Sequence, residues 1–239
     1  GDDRERAQTL CAVAEQLPAD QQRSVLAEAL AAARSVGDDR ERAQTLCAVA
    51  EQLPADQQRP ILAEALAAAR SVGAEQGRAY ALRAVAEQLP ADQQRPVLAE
   101  ALAAARSVGA EQGRAYALRA VAEKLPADAT DLLAEALAAA RMVGVDELRA
   151  DALRAVAARL PADATDLLAE ALAAARTIGH DQARADALSA VAARLPADAT
   201  DLLAEALAAA RSIGHDQARA RALSAVAEKL PPDQQRSVL

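Results

Sequence analysis

The sequence predicts an all-α protein built as an αα-hairpin solenoid, and three observations carry that prediction. A glycine at position 1 returns at 37, 73, 109, 144, 179 and 214, each time opening nearly the same stretch. Every stretch holds two apolar seams at helical spacing, separated by a proline. Apolar residues reach 52% with no Trp, no Phe and two Tyr, so the core must be Leu, Val, Ile and abundant Ala. Units repeating every 35–36 residues cannot bury a face alone and stack on their neighbours. We therefore read 1–239 as one repeat domain, with copies at 1–36, 37–72, 73–108, 109–143, 144–178 and 179–213 and a partial copy at 214–239.

Copy one shows why each element forms. Ala7, Leu10, Val13, Ala14 and Leu17 fall at a period near 3.6 and predict a first helix, ended by Pro18. Residues 19–23 read as a turn or a distorted helical turn. A second helix is expected from about Ser24 to Val36, with Val25, Leu26, Ala29, Leu30 and Ala33 facing inward. Pro60 and Pro96 occupy the slot of Ser24, and proline suits the first helical position. From copy four onward Ala-Asp-Ala-Thr-Asp replaces Ala-Asp-Gln-Gln-Arg-X, which makes Thr130 the expected N-cap with Asp131 in the first turn. Gly37 and its equivalents are expected to close the second helix as C′ glycines.

Charges follow the same frame. Arg34, Arg70, Arg106, Arg141, Arg176 and Arg211 lie in the last turn of the second helix, where a cation suits the dipole. An acid at the third position precedes an Arg at the sixth in every copy: Asp3/Arg6, Asp39/Arg42, Glu75/Arg78, Glu111/Arg114, Asp146/Arg149, Asp181/Arg184 and Asp216/Arg219. Such an i,i+3 pair contributes about 0.2–0.5 kcal/mol when exposed and reads as structural.

The second helix, Ala-Glu-Ala-Leu-Ala-Ala-Ala-Arg, together with the Gly-Asp turn and the following Arg-Ala-x-x-Leu, resembles bacterial tetratricopeptide (TPR-like) repeats along the whole chain. The resemblance implies a right-handed superhelix whose first helices line a concave groove where partners lie. The chain departs from that family in three places. Cys11, Arg83 or Ser189 stands directly after the first-helix leucine, the packing aromatics are missing, and Pro18 lies between the two helices. HEAT-like packing is the alternative.

Comparing copies locates a candidate surface. The second helix is nearly constant, whereas the first varies at its fourth, eighth, eleventh and fifteenth positions, with the fifth and sixteenth beside them. Spacings of four, three and four define one stripe opposite the packing seam. Its candidate binding residues are Gln8, Cys11, Gln44, Cys47, Tyr80, Arg83, Tyr116, Arg119, Asp151, Arg154, Asp186 and Ser189. Tyr and Arg are common hot-spot residues. The competing explanation is unconstrained drift. Against it, the exposed side of the second helix does not vary, and copies one and two are almost identical.

Other chemistries find little support in the residues. The net charge of −8 gives no basic footprint for nucleic acid, and no apolar run reaches the length of a membrane span. Cys11 and Cys47 share a slot in adjacent copies, too far apart for a disulfide, and are expected as free thiols in a cytoplasmic protein. His180 and His215 are a copied pair without further ligands at metal spacing. No phosphate-cradling loop is present, and Asp128 and Asp131 lack calcium-loop spacing, so neither an enzyme nor a cofactor site is expected.

Three functional readings follow. The first is a protein- or peptide-binding module forming part of a longer scaffold or sensor, since the chain begins and ends in mid-pattern. The second is a structural spacer or rod that associates head to tail through uncapped ends. The third, an artificial array, sits poorly with uneven unit lengths and with Gly77 and Gly113 inside helices.

Overall fold

In the computed structural model, residues 2–231 and 234–235 are described. Gly1 and the end of the seventh copy, at 232–233 and 236–239, lie outside them. The described residues form thirteen α-helices and no strand. The first helices of the copies are α1 (Asp2–Ala14), α3 (Asp39–Glu51), α5 (Glu75–Ala86), α7 (Glu111–Ala122), α9 (Asp146–Ala157), α11 (Asp181–Ala192) and α13 (Asp216–Ala227). The second helices are α2 (Ala19–Ser35), α4 (Ala55–Ser71), α6 (Ala91–Ser107), α8 (Thr130–Arg141), α10 (Thr165–Arg176) and α12 (Thr200–Arg211).

The helices divide into two compact units, Gly1–Ala104 and Ala105–Leu239. In the first, α1, α3 and α5 pack side by side, with α2 and α4 against them. In the second, α7, α9, α11 and α13 pack in one row and α8, α10 and α12 in another. Alanine lets helices approach closely within each unit: Ala43, Ala79, Ala101 and Ala171 are fully buried, as are Leu102, Leu133 and Leu172. Val49 and Val85 are also fully buried, while Val13 in the same slot of copy one is 44% exposed.

Three local expectations are corrected. The second helix of copies one to three starts earlier than expected, at Ala19, Ala55 and Ala91, so Pro60 and Pro96 lie inside α4 and α6. Pro54 stands at the N-cap of α4, and Pro60 removes only the bond to the carbonyl of Asp56, an exposed residue one turn from the helix start where water can take its place. Thr130 is the first residue of α8 rather than its cap. Ala129 holds that position, accepting from the amide of Leu133 at 3.0 Å. The glycines do not close the second helices through a left-handed turn, since no described residue has positive φ. α2 ends instead on Val36 in extended geometry, and the guanidinium of Arg42 donates to the Val36 carbonyl at 3.0 Å.

That bond recurs and changes the meaning of the acid–Arg pair. Arg78, Arg149, Arg184 and Arg219 likewise bond the carbonyls of Val72, Val143, Ile178 and Ile213, joining each first helix to the helix before it. Asp146 pairs with Arg149 through one oxygen. Its other oxygen accepts from the amides of Gly179 at 2.9 Å and His180 at 2.8 Å in the next copy. Asp181 repeats this with Arg184 and His215, and Glu111 accepts from Gly144 and Val145. The pair is therefore no exposed ornament. It is a partly buried latch spanning three segments.

Candidate functional site

The exposed side of the second helices is occupied by a ladder between copies. Arg34 bonds Glu64 at 2.8 and 2.6 Å through two nitrogens, and Arg70 bonds Glu100 in the same way. Arg106–Glu135, Arg141–Glu170 and Arg176–Glu205 continue the pattern in the second unit. The hydrogen bonds of Arg34 hold the Glu64 carboxyl below its ordinary range, and Glu64 raises Arg34 in turn. Constancy of this face thus has a structural cause, and contrast with it no longer argues for recognition by the first helices.

Part of the variable stripe is also accounted for within the fold. Glu15 accepts from Gln52 at 2.8 Å, Glu51 accepts from Gln88, and Arg4 pairs with Glu41 at 3.0 Å. Position sixteen answers the preceding turn in copies five and six. Where that turn carries Gln-Gln-Arg, its own glutamine satisfies a leucine carbonyl just past the first helix: Gln58 donates to Leu53 at 2.9 Å and Gln94 to Leu89 at 2.8 Å. Where the turn is shortened, Arg159 and Arg194 reach back to the carbonyls of Leu125 and Leu160 at 2.7 and 2.9 Å.

The eleventh position is less exposed than its spacing predicts. Cys11 and Cys47 are free thiols at 7% and 4% exposure, so they do not belong to a solvent-facing stripe. The small thiols are buried in this slot, whereas the longer Arg119 and Arg154 extend out to solvent. Burial, then the charge of Glu51, pushes the Cys47 thiol up to about 12, and the same causes, with Glu15, raise Cys11. Gln8 is exposed, whereas Gln44, Asp186 and Ser189 are half-buried. Asp186 is bonded by Arg221 at 2.6 Å, and the Ser189 hydroxyl is buried without a partner.

Two patches remain. In the first unit, Arg40 lies 5.8 Å from the ring centre of Tyr80, beside a recess of about 620 Å³ lined also by Asp38, Gly73 and Gly77. A side chain at Gly77 would meet Val72 at 3.2 Å, which explains glycine within that helix. Arg83 of the same unit turns to Glu87 at 2.6 Å. In the second unit, Tyr116 is 39% exposed, and its hydroxyl accepts from Gln112 at 3.2 Å.

The second unit also carries an open groove of about 620 Å³ on the first-helix face. Ala155, Ala158 and Ala190 line it together with Arg119, Glu123, Asp151, Arg154 and Arg159. Asp151 accepts from Arg154 at 2.9 Å and lies 3.9 Å from Arg119, which also pairs with Glu123 at 3.4 Å. Three predicted residues, Arg119, Asp151 and Arg154, therefore come together. Arg159 completes the set, and its change from glutamine alongside the shortened turn was the signal in the sequence. A further groove of about 710 Å³ lies between α2 and α4, lined by Leu26, Leu30, Leu53, Pro54 and Ile61.

The histidines have a local duty. Nδ1 of His180 accepts from the amide of Ala183 at 3.4 Å and that of His215 from Ala218 at 3.3 Å, so both cap helices. No helix among the described residues is long and apolar enough to cross a membrane.

No protein-family model and no curated protein matches the chain. Among solved structures it is similar to Ton1535 from Thermococcus onnurineus NA1, at 15% identity and a TM-score of 0.44, over 95% of this chain and 92% of that one.

Proposed function

We propose that this chain is a non-enzymatic, protein- or peptide-binding repeat module of the TPR-like, right-handed superhelical kind, acting in the cytoplasm as the scaffold or sensor part of a longer protein. One observation carries the reading: the groove in which Arg119, Asp151 and Arg154 meet over an alanine floor. Its guanidiniums are about half exposed and its floor offers little steric obstruction. Both suit a bound segment. The regular Arg–Glu ladder favours the second reading, a spacer or self-associating rod, because it stiffens successive copies without reference to any ligand.

Capture with the native chain beside an Arg119→Ser, Arg154→Ser variant separates the two. Serine already occupies the eleventh position at Ser189 and Ser224, so the variant should fold. A partner held by the native chain and lost by the variant supports the binding module. Identical captures, together with association that increases with concentration, would leave the rod.

A further inference from the structure

We infer that the α7–α9–α11 groove takes an acidic peptide segment, held by carboxylate side chains against Arg154 and Arg159. The inference rests on the binding reading above and names the chemistry of its ligand.

The groove lacks an acid that most copies carry. Position fifteen is glutamate in five copies, as Glu15, Glu51, Glu87, Glu123 and Glu228, but alanine in two, as Ala158 and Ala193. Where an Arg stands four residues before that glutamate, the two pair, as Arg83 does with Glu87 and Arg119 with Glu123. Arg154 has Ala158 in that place and turns back to Asp151. One acid is missing from this stretch of the face, and the space it would fill is part of the groove.

The remaining charges are then unbalanced. Three guanidiniums, Arg119, Arg154 and Arg159, line the groove against two carboxylates, Glu123 and Asp151. Asp151 serves two of the arginines at once, Oδ1 on Arg154 and Oδ2 on Arg119. Arg159 is fixed through Nε on the Leu125 carbonyl, which leaves the donors of its terminal nitrogens available to a ligand. The local excess is positive on a chain of net charge −8. A carboxylate entering here meets planar donors that are already oriented, the arrangement that favours charge-assisted, two-pronged bonds. A basic segment would face the same arginines unfavourably, and an apolar one would leave the terminal nitrogens of Arg159 without a partner.

The test uses the whole chain and an Ala158→Glu variant, which restores the glutamate that most copies carry and should fold as they do. A random peptide library is selected on the native chain and counter-selected on the variant, with circular dichroism as the folding control. A blocked Ser-Glu repeat peptide and its Ser-Gln counterpart then give affinities. The expected result is that groove-dependent peptides are rich in Asp and Glu. The Ser-Glu peptide should bind at least about tenfold more weakly to Ala158→Glu and to Arg154→Gln, and more weakly again in high salt. Groove-dependent peptides without acidic enrichment would overturn the acidic ligand and leave the binding module standing. Absence of any groove-dependent peptide would overturn both. A single-stranded oligonucleotide that binds as tightly as the Ser-Glu peptide, with the same loss in Arg154→Gln, would overturn the choice of a peptide.

Discussion

Arg159 donates from Nε to the carbonyl oxygen of Leu125 at 2.7 Å, joining the turn after α9 in copy five to the turn after α7 in copy four. Leu125 is fully buried, so an unmet carbonyl there has little access to water. Arg159→Ala should therefore cost about 1–3 kcal/mol, seen as a lower urea midpoint with an unchanged slope. Rebuilding the copy-four turn in its Gln-Gln-Arg form should recover most of that loss by supplying a local donor. An equal loss in both backgrounds would show that the carbonyl is not what Arg159 stabilises.

The glycines that open the copies divide into two groups. A Cβ on Gly37 or Gly73 would meet nothing within 4 Å, whereas one on Gly179 would meet the Asp146 carboxylate at 3.1 Å. None of the described ones has positive φ. Gly37→Ala should be neutral or stabilising by about 0.4–1 kcal/mol through the unfolded chain. Gly179→Ala should be destabilising by about 1 kcal/mol as the Asp146 latch is displaced. Thermal melts of the two variants, run side by side, would refute the latch if they shifted together.

Cys47 should resist modification. With its thiol pushed up to about 12, almost no thiolate exists in the folded protein at pH 8, and burial blocks access as well. A thiol reagent should label it only as fast as the chain opens. The linkage has a definite sign. The folded pKa lies above the ordinary 9.0, so the contribution is complete below that pH and is lost as pH rises towards about 12. Cys47→Ala should flatten the fall of stability with pH across that window, and an unchanged profile would refute the assignment.

Glu64 titrates in the opposite direction. Its carboxyl is lowered from 4.5 by the bonds from Arg34, so its contribution is present above that pH and is lost as pH falls below it. Both side chains are 40% exposed or more, so the effect should be small and weakened by salt. Glu64→Gln should reduce the acid dependence of the urea midpoint without shifting it at pH 9 by more than about 1 kcal/mol in stability.

The helices were legible because the apolar seams repeat seven times, and Ala7, Ala14 and Leu26 are buried where the period puts them. Helix ends were less so. Proline at position 60 suggests a start, but a helix can hold it near its amino end when the lost carbonyl bond lies in solvent. The stripe was legible as a face and not as a site. A single sequence shows that Cys47 and Arg119 share a slot, but not that a short side chain sinks between helices where a long one leaves them. Position sixteen varied for a reason that lay in a different copy, since Arg159 answers a turn thirty-odd residues upstream. Pairings of that kind need coordinates.

That dependence gives the array a direction of growth. A copy with a Gln-Gln-Arg turn satisfies its own leucine carbonyl and can be followed by any neighbour. In copies four and five, where the turn is shortened, that carbonyl is met by Arg159 and Arg194 of the next copy. Unequal recombination among the first three copies can lengthen or shorten the array without orphaning a carbonyl. Moving a copy that carries Gln52 or Gln88 to follow a shortened turn would break the junction. Copies are thus interchangeable within a block, while exchange between blocks costs the junction that one bond.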